Sequence, residues 1–219
     1  MPQIKRLLEA LADFRADAPL VNQYRSTHAE VDRARGAAIR RRNLELYLRL
    51  FAARPPRLLI LGEAAGYRGC RFSGIPFTSE HTLANNPFFK GAGFEPSSRR
   101  EPIWREASAS IVWETFGQLE TPPLLWGTVP FHPHRPNEPL SNRAPAPAER
   151  RAGIQFFAML RAIVPGARLI ACGRIAEEAL GNAGFVFTPI RHPSHGGKTD
   201  FQKGVFAAAG VKPKALQRC

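Results

Sequence analysis

The chain has 219 residues, 44% of them hydrophobic, which is enough apolar material for one α/β domain with a real core. Lys and Arg number 31 against 18 Asp and Glu, a net charge of +13. A field of that sign draws in polyanions, so nucleic acid is the expected partner; the plainer alternative is an Arg-rich protein with solvated basic faces.

Residues 2–15 carry Ile4, Leu7, Leu8, Leu11 and Phe14 at helical spacing, and Pro19 ends that helix. Glu9, Asp13 and Asp17 argue against a transit peptide, and the segment lacks the apolar core of a secretory signal. A second helix is expected from about Thr27 to Ala53, with Leu44, Tyr47, Leu48 and Phe51 on its inner face. Arg35, Arg42 and Arg49 fall on the opposite face, either as a phosphate-contacting stripe or as a solvated face with Glu45 paired to Arg41 or Arg49. After Pro55-Pro56 comes a strand over 57–62, and its apolar run stops at Gly62, as a buried parallel strand does. A glycine-rich loop follows to about Thr82, then a polar surface excursion from Asn85 to Arg100. A helix over 101–119, opened by Pro102, leads to a strand at 124–129 and a proline-rich loop up to Pro147. The remaining expectations are a helix at 147–163, a strand at 168–172, a helix at 174–181, a strand at 185–190, a helix at about 199–209 and a basic tail through Lys212-Pro213-Lys214. Alternation of this kind predicts a single α/β domain, a four-stranded parallel sheet flanked by helices, with the helical segment 1–53 packed on it.

No run approaches the length of a membrane span, so no membrane contact is expected. The cysteines, Cys70, Cys172 and Cys219, are scattered and odd in number. They suit a reducing cytoplasm, and they supply neither a disulfide framework nor the thiolates of an ordinary iron–sulfur cluster. Cys70 reads as a small loop residue, with a nucleophile as the alternative. No cofactor is expected, and the chain is taken as a monomer.

Ligands of open parallel sheets lie beyond the carboxyl ends of the strands. The loops expected there carry Glu63 and Phe77, then His132 and His134, then His192, Ser194 and His195. They could converge on one site. The stretch from Gly62 to Gly74 lacks the glycine-lysine pattern of a phosphate loop and the third glycine spacing of a dinucleotide site. Glu63 is either a functional carboxylate or a helix-capping residue. Phe77 and Trp126 are either flat binding faces or core.

Gly62-Glu63-Ala64-Ala65-Gly66 with Gly74-Ile75-Pro76-Phe77, and later His192-Pro193-Ser194 at a strand end, resemble the two signature motifs of the uracil-DNA glycosylase superfamily. The first is similar to the GEAPG of its iron–sulfur branch, and Asn142-Arg143-Ala144-Pro145 is similar to that branch's N-R-x-P segment. Without a four-cysteine set, the resemblance is to a cluster-free relative. It implies hydrolysis of the N-glycosidic bond of uracil in DNA, with the base flipped into a pocket. By resemblance, His192 donates to the leaving uracil and Glu63 positions water or stabilises the sugar cation. Gly62, Ala64, Ala65, Tyr67, Phe77, Gly127 and Asn142 surround the base, with Phe77 stacked on it. Ser194, His195, Gly196, Gly197 and Lys198 hold the DNA. Gly127 stands where many members carry an Asn that reads the uracil edge, which leaves that task to backbone groups or Asn142. The reading requires Phe77 and His192 to close over one flat guest, ring face on one side and imidazole on the other.

Two other readings remain open at this stage. One is a non-catalytic nucleic-acid binder, motivated by Ala64 and Gly127. The other is a metal-dependent hydrolase using His132, His134, His192 and His195.

Overall fold

The computed structural model describes residues 1–17 and 19–212; Cys219 and the Pro213-Lys214 part of the expected basic tail lie outside the described residues. Four strands form one parallel sheet: β2 (Leu58–Ala64), β3 (Leu124–Val129), β5 (Arg168–Cys172) and β6 (Thr188–Ile190), in the order β3-β2-β5-β6. The central strand β2 pairs Ile60 with Leu125 on one side and with Ile170 on the other. Residues 58–61 are buried on both faces, which is why they read as an unbroken apolar run. Helices flank the sheet. α6 (Pro147–Arg161) packs on β3, α7 (Arg174–Asn182) on β5 and β2, and α8 (Lys198–Ala209) on β6. α1 (Pro2–Asp13) lies against α6 and α2 (Gly36–Ala53). One contiguous core extends from Ile4 to Val205. Among the described residues no helix is long and apolar enough to cross a membrane.

The edge strand β3 is covered rather than exposed. Its Leu125 N–H donates to the Tyr47 hydroxyl of α2 at 2.8 Å. A second, antiparallel pair, β1 (Leu20–Val21) with β4 (His132–Pro133), ties the N-terminal segment to the loop after β3. Its strands of two residues are too short for alternation to mark them.

Several expected boundaries move for tertiary reasons. The helix expected from Thr27 starts at Gly36. Residues before it turn inward around Asp32, whose side chain is wholly buried. Arg40 and Arg71 each present two nitrogens to its two oxygens, at 2.9 and 3.2 Å and at 3.2 and 3.2 Å. Arg40 also donates to the carbonyls of Gln23 and Ser26 and to the Ser97 hydroxyl. Of the expected arginine stripe, Arg35 precedes the helix, while Arg42 and Arg49 both pair with Glu45; Arg41 instead reaches the Tyr24 carbonyl. The excursion 85–100 is pinned from within. The buried Glu80 carboxylate of α4 (Glu80–Asn85) accepts from the Ser97 and Ser98 N–H groups at 2.7 and 2.8 Å.

The helix expected from Pro102 starts at Ala107 as α5 (Ala107–Phe116). Its would-be first turn is drawn away because Trp104 stacks on Phe72 at 5.7 Å and its carbonyl accepts from His81 N–H at 2.9 Å. The last strand begins at Thr188 rather than 185, with Val186 left 93% exposed.

Breaking a buried ion pair strands the remaining charges. Asp32→Ala, which leaves two buried guanidinium groups uncompensated, is expected to lower the unfolding free energy by about 3–5 kcal/mol in urea denaturation. Burial pushes the Asp32 carboxyl up, but Arg71 and Arg40 outweigh it and hold it below the ordinary carboxylate value. Its contribution is therefore complete above the unfolded carboxylate range and is lost as pH falls through the lowered folded value.

Candidate active site at the carboxyl edge of the sheet

A cavity of about 240 Å³ opens beyond the carboxyl ends of β2, β3 and β6. Among the expected site residues, Glu63, Ala64, Ala65, Phe77, Gly127, Asn142, His192, Ser194 and His195 line it. Parallel register brings them together: Gly62 pairs with Gly127, and Ala64 with Val129.

Phe77 forms the flat wall. Its backbone has φ of +51°, which a bulky residue rarely adopts. The neighbouring segment is held by the Ser73 hydroxyl, which donates to the Thr78 carbonyl at 2.6 Å, and by Trp113, whose indole N–H donates to the Thr78 hydroxyl at 3.0 Å. Gly62 does not line the cavity. The tip of the Phe77 ring fills the place where a Cβ at 62 would stand, so the glycine gives the ring room. Tyr67 is also outside the cavity wall. Its N–H donates to Asn142 Oδ1 at 3.0 Å, and its ring meets Trp104 edge to face at 5.5 Å.

The Phe77 and His192 rings lie 5.7 Å apart and tilted by 36°. The two loops do meet, but not as two jaws. Sandwiching a base needs two contact layers of roughly 3.5–4.0 Å each. A base on Phe77 therefore has the imidazole at its edge rather than over its opposite face.

The state of His192 follows from its neighbours. Ser194 N–H donates to Nδ1 at 3.2 Å, and the Ser194 hydroxyl lies 2.7 Å from the same nitrogen. A nitrogen that accepts from a backbone N–H carries no proton, so the neutral ring is protonated at Nε2. Burial pushes the imidazole down to about 4, helped by Arg191 and His195. His192 is thus a neutral donor at physiological pH. Glu63 is half-buried, and burial raises its carboxyl above the usual value against the pull of Arg150.

The other candidates are accounted for. Gly196, Gly197 and Lys198 form the turn that opens α8, outside the cavity, and Lys198 is 2.9 Å from both oxygens of Glu114. Trp126 is wholly buried in the core. Cys70 is buried, and its thiol is pushed up to about 12, which leaves it protonated and unreactive. The histidines do not assemble as ligands. Both nitrogens of His132 face carbonyls, Ala65 at 2.7 Å and Pro139 at 3.1 Å, and His134 stacks on it. Among the described residues no three His, Cys, Asp or Glu side chains converge on a metal position.

Glu106 was not singled out by the sequence. It precedes α5 and lines the cavity, with its carboxyl against Gly66 and Gly69. Burial pushes it up to about 7, against Arg68. The shifted start of α5 is what delivers it, and nothing in the local pattern announces that shift. At the rim, the exposed Arg68 lies over the Tyr67 ring at 5.2 Å and Arg100 over Trp104 at 4.1 Å, a basic and aromatic surface beside the opening.

A four-stranded parallel sheet with this strand order, flanked by helices and carrying its cavity at the carboxyl edge, is the uracil-DNA glycosylase-like fold. Among solved structures the chain is similar to wild-type SMUG2 of Pedobacter heparinus. The TM-score is 0.64 and the identity 16%, over 94% of this chain and 96% of that chain. No family model matches the sequence, and no curated protein matches it.

A buried histidine held neutral costs stability once it must be protonated. His192 is pushed down to about 4 by burial. Unfolded histidine titrates near about 6.5, so the unfolded chain binds more protons between about 6.5 and 4. Stability is expected to fall as pH drops through that window. In an NMR titration the His192 ring resonances should stay in the neutral form down to pH of about 5.

Proposed function

We propose that the protein is a DNA glycosylase that hydrolyses the N-glycosidic bond of deoxyuridine in DNA. The observation that carries this reading is a neutral His192, protonated at Nε2, at the edge of a cavity walled by Phe77. The fold shared with SMUG2 and the net charge of +13 support it.

The base leaves the stack and enters the cavity, since the bond cannot be reached inside a duplex. It lies on Phe77, a contact that contributes on the order of 1–3 kcal/mol. The bond between C1′ of the sugar and N1 of the base breaks with both electrons going to the base, so charge develops on its O2. His192 Nε2–H donates to that oxygen. The Glu63 carboxylate faces the cationic sugar and orients the water that adds to C1′, and the proton this water releases balances the charge of the uracil anion. Ser194 and His195 at the mouth, with Arg68 and Arg100 on the rim, contact the strand. Its phosphates are drawn by the positive field.

A second reading, a DNA-binding relative without catalysis, draws on Ala64 and Gly127, which place no polar side chain where they line the cavity. Base release separates the two. A uracil-containing oligonucleotide, incubated with the protein and then treated with alkali, should be cut at the uracil position. His192→Ala should lower the single-turnover rate by about 100- to 1000-fold, as loss of a preorganised donor does. Phe77→Ala should lower kcat/KM by about 5- to 150-fold, the equivalent of one stacking contact. Binding without any cleavage by folded wild type would favour the second reading.

A further inference from the structure

Four of the polar side chains around the cavity already have partners. His192 and Ser194 bond each other. Arg143 is forked onto Glu149 at 2.5 and 2.8 Å and reaches the His134 carbonyl. Asn142 spends its carbonyl oxygen on Tyr67 N–H. The Glu106 carboxyl, like the lining side chains of Glu63, Ser108 and His195, has neither a hydrogen bond nor an ion pair among the described residues, and it is the one that lies against Gly66 and Gly69. A polar group that faces a cavity without a protein partner is placed to meet a ligand.

Two glycines leave room for the carboxyl where it stands. A Cβ at Gly66 or at Gly69 would overlap the Glu106 carboxyl, and Asn142 Oδ1 stands 3.9 Å from the Gly66 Cβ position. Meanwhile Gly127 and Ala64 contribute no side-chain donor or acceptor to the same cavity.

Resting on the glycosylase reading above, we propose that Glu106 is a substrate-binding residue whose carboxyl hydrogen-bonds the polar edge of the flipped base from the wall of Gly66, Gly69 and Asn142. A neutral carboxylic acid offers one O–H donor and one acceptor on adjacent atoms. Those match the O4 acceptor and N3–H donor of uracil, and equally the O6 and N1–H of hypoxanthine. The ionised form offers acceptors alone and repels the carbonyl oxygen.

The charge state fits the task, since burial pushes Glu106 up to about 7 and keeps the acid form present near neutrality. The groups around it are Arg68, which favours the ionised form, and the buried Cys70 thiol, which stays protonated. Glu63, Arg143, His192 and His195 line the rest of the cavity, and His192 is already neutral across this range.

The experiment measures uracil release at pH 6 to 9 for wild type, Glu106→Gln and Glu106→Ala, with folding checked by circular dichroism. Wild-type kcat/KM should fall at least about tenfold on the alkaline side of pH 7. Glu106→Gln, which keeps a donor and an acceptor without titrating, should stay within about threefold of the wild-type acid-side value and show no fall. Glu106→Ala should lose at least about tenfold at pH 6. Binding of free uracil, followed by NMR at pH 6 and 8.5, reads the same contact without turnover. Wild type should weaken about tenfold at the higher pH and Glu106→Gln should not.

Equal activity of Glu106→Ala and wild type overturns the proposal. So does an alkaline fall that persists in Glu106→Gln, which would belong to another group. A Glu106→Gln variant as inactive as Glu106→Ala would make the carboxylate a base rather than an edge contact, and also overturns it. Absence of uracil release by wild type counts against the glycosylase reading, while uracil binding that weakens with pH in wild type and is pH-independent in Glu106→Gln would still support the contact.

Discussion

The tip of the Phe77 ring occupies the space above Gly62 that any side chain there would need. Around that contact the carboxyl edge of the sheet takes its shape. Phe77 holds a left-handed backbone conformation, which costs about 1–3 kcal/mol and persists where the surroundings over-determine it. Here the surroundings are Ser73, Trp113 and the glycine itself. The flat wall is thus fixed before any ligand arrives. A preformed wall spares the ordering cost that a mobile aromatic ring would incur on binding. With Phe77 so placed, the imidazole at 5.7 Å can address only the edge of whatever lies on the ring.

Desolvation sets the chemistry of the cavity, and it acts on two groups in opposite directions. Burial disfavours the charged form of either sign. It pushes His192 down to about 4 and Glu106 up to about 7. Near neutrality the cavity therefore presents an uncharged N–H donor and a carboxyl that is partly uncharged. The net positive charge acts elsewhere, at the surface, where it governs encounter rather than bond breaking. Two of the arginines serve neither role. Arg40 and Arg71 are spent inside on Asp32, and that buried cluster ties the start of α2 to α3 (Cys70–Ser73) beneath the cavity loop.

Much of the scaffold was legible in the chain because its signals are local. Leu58 to Leu61 form an apolar run closed by a glycine, and β2 stands there. Residues 168–172 and 124–129 occur as strands with the expected bounds. Pro147 opens α6 as a first-turn proline should. Parallel strands must send their carboxyl ends to one edge, so the meeting of the Phe77 and His192 loops was also within reach of the sequence. Boundaries failed where a distant partner outbid the local preference. Residues 27–35 have helical composition, yet Asp32 finds two guanidinium groups and the chain turns inward. Trp104 has helical company, yet its contacts with Phe72 and His81 leave it outside the helix.

What the amino-acid sequence determined by itself, then, is the parallel sheet, its order of elements and the residue types at the strand ends. Those rest on periodicity, on glycine and on proline, which act over a few residues. The tertiary structure alone decided which nitrogen of His192 holds the proton, why position 62 must lack a side chain, and that Glu106 enters the cavity unpaired. Each of these depends on distance and desolvation between segments far apart in the chain, and no local pattern encodes them.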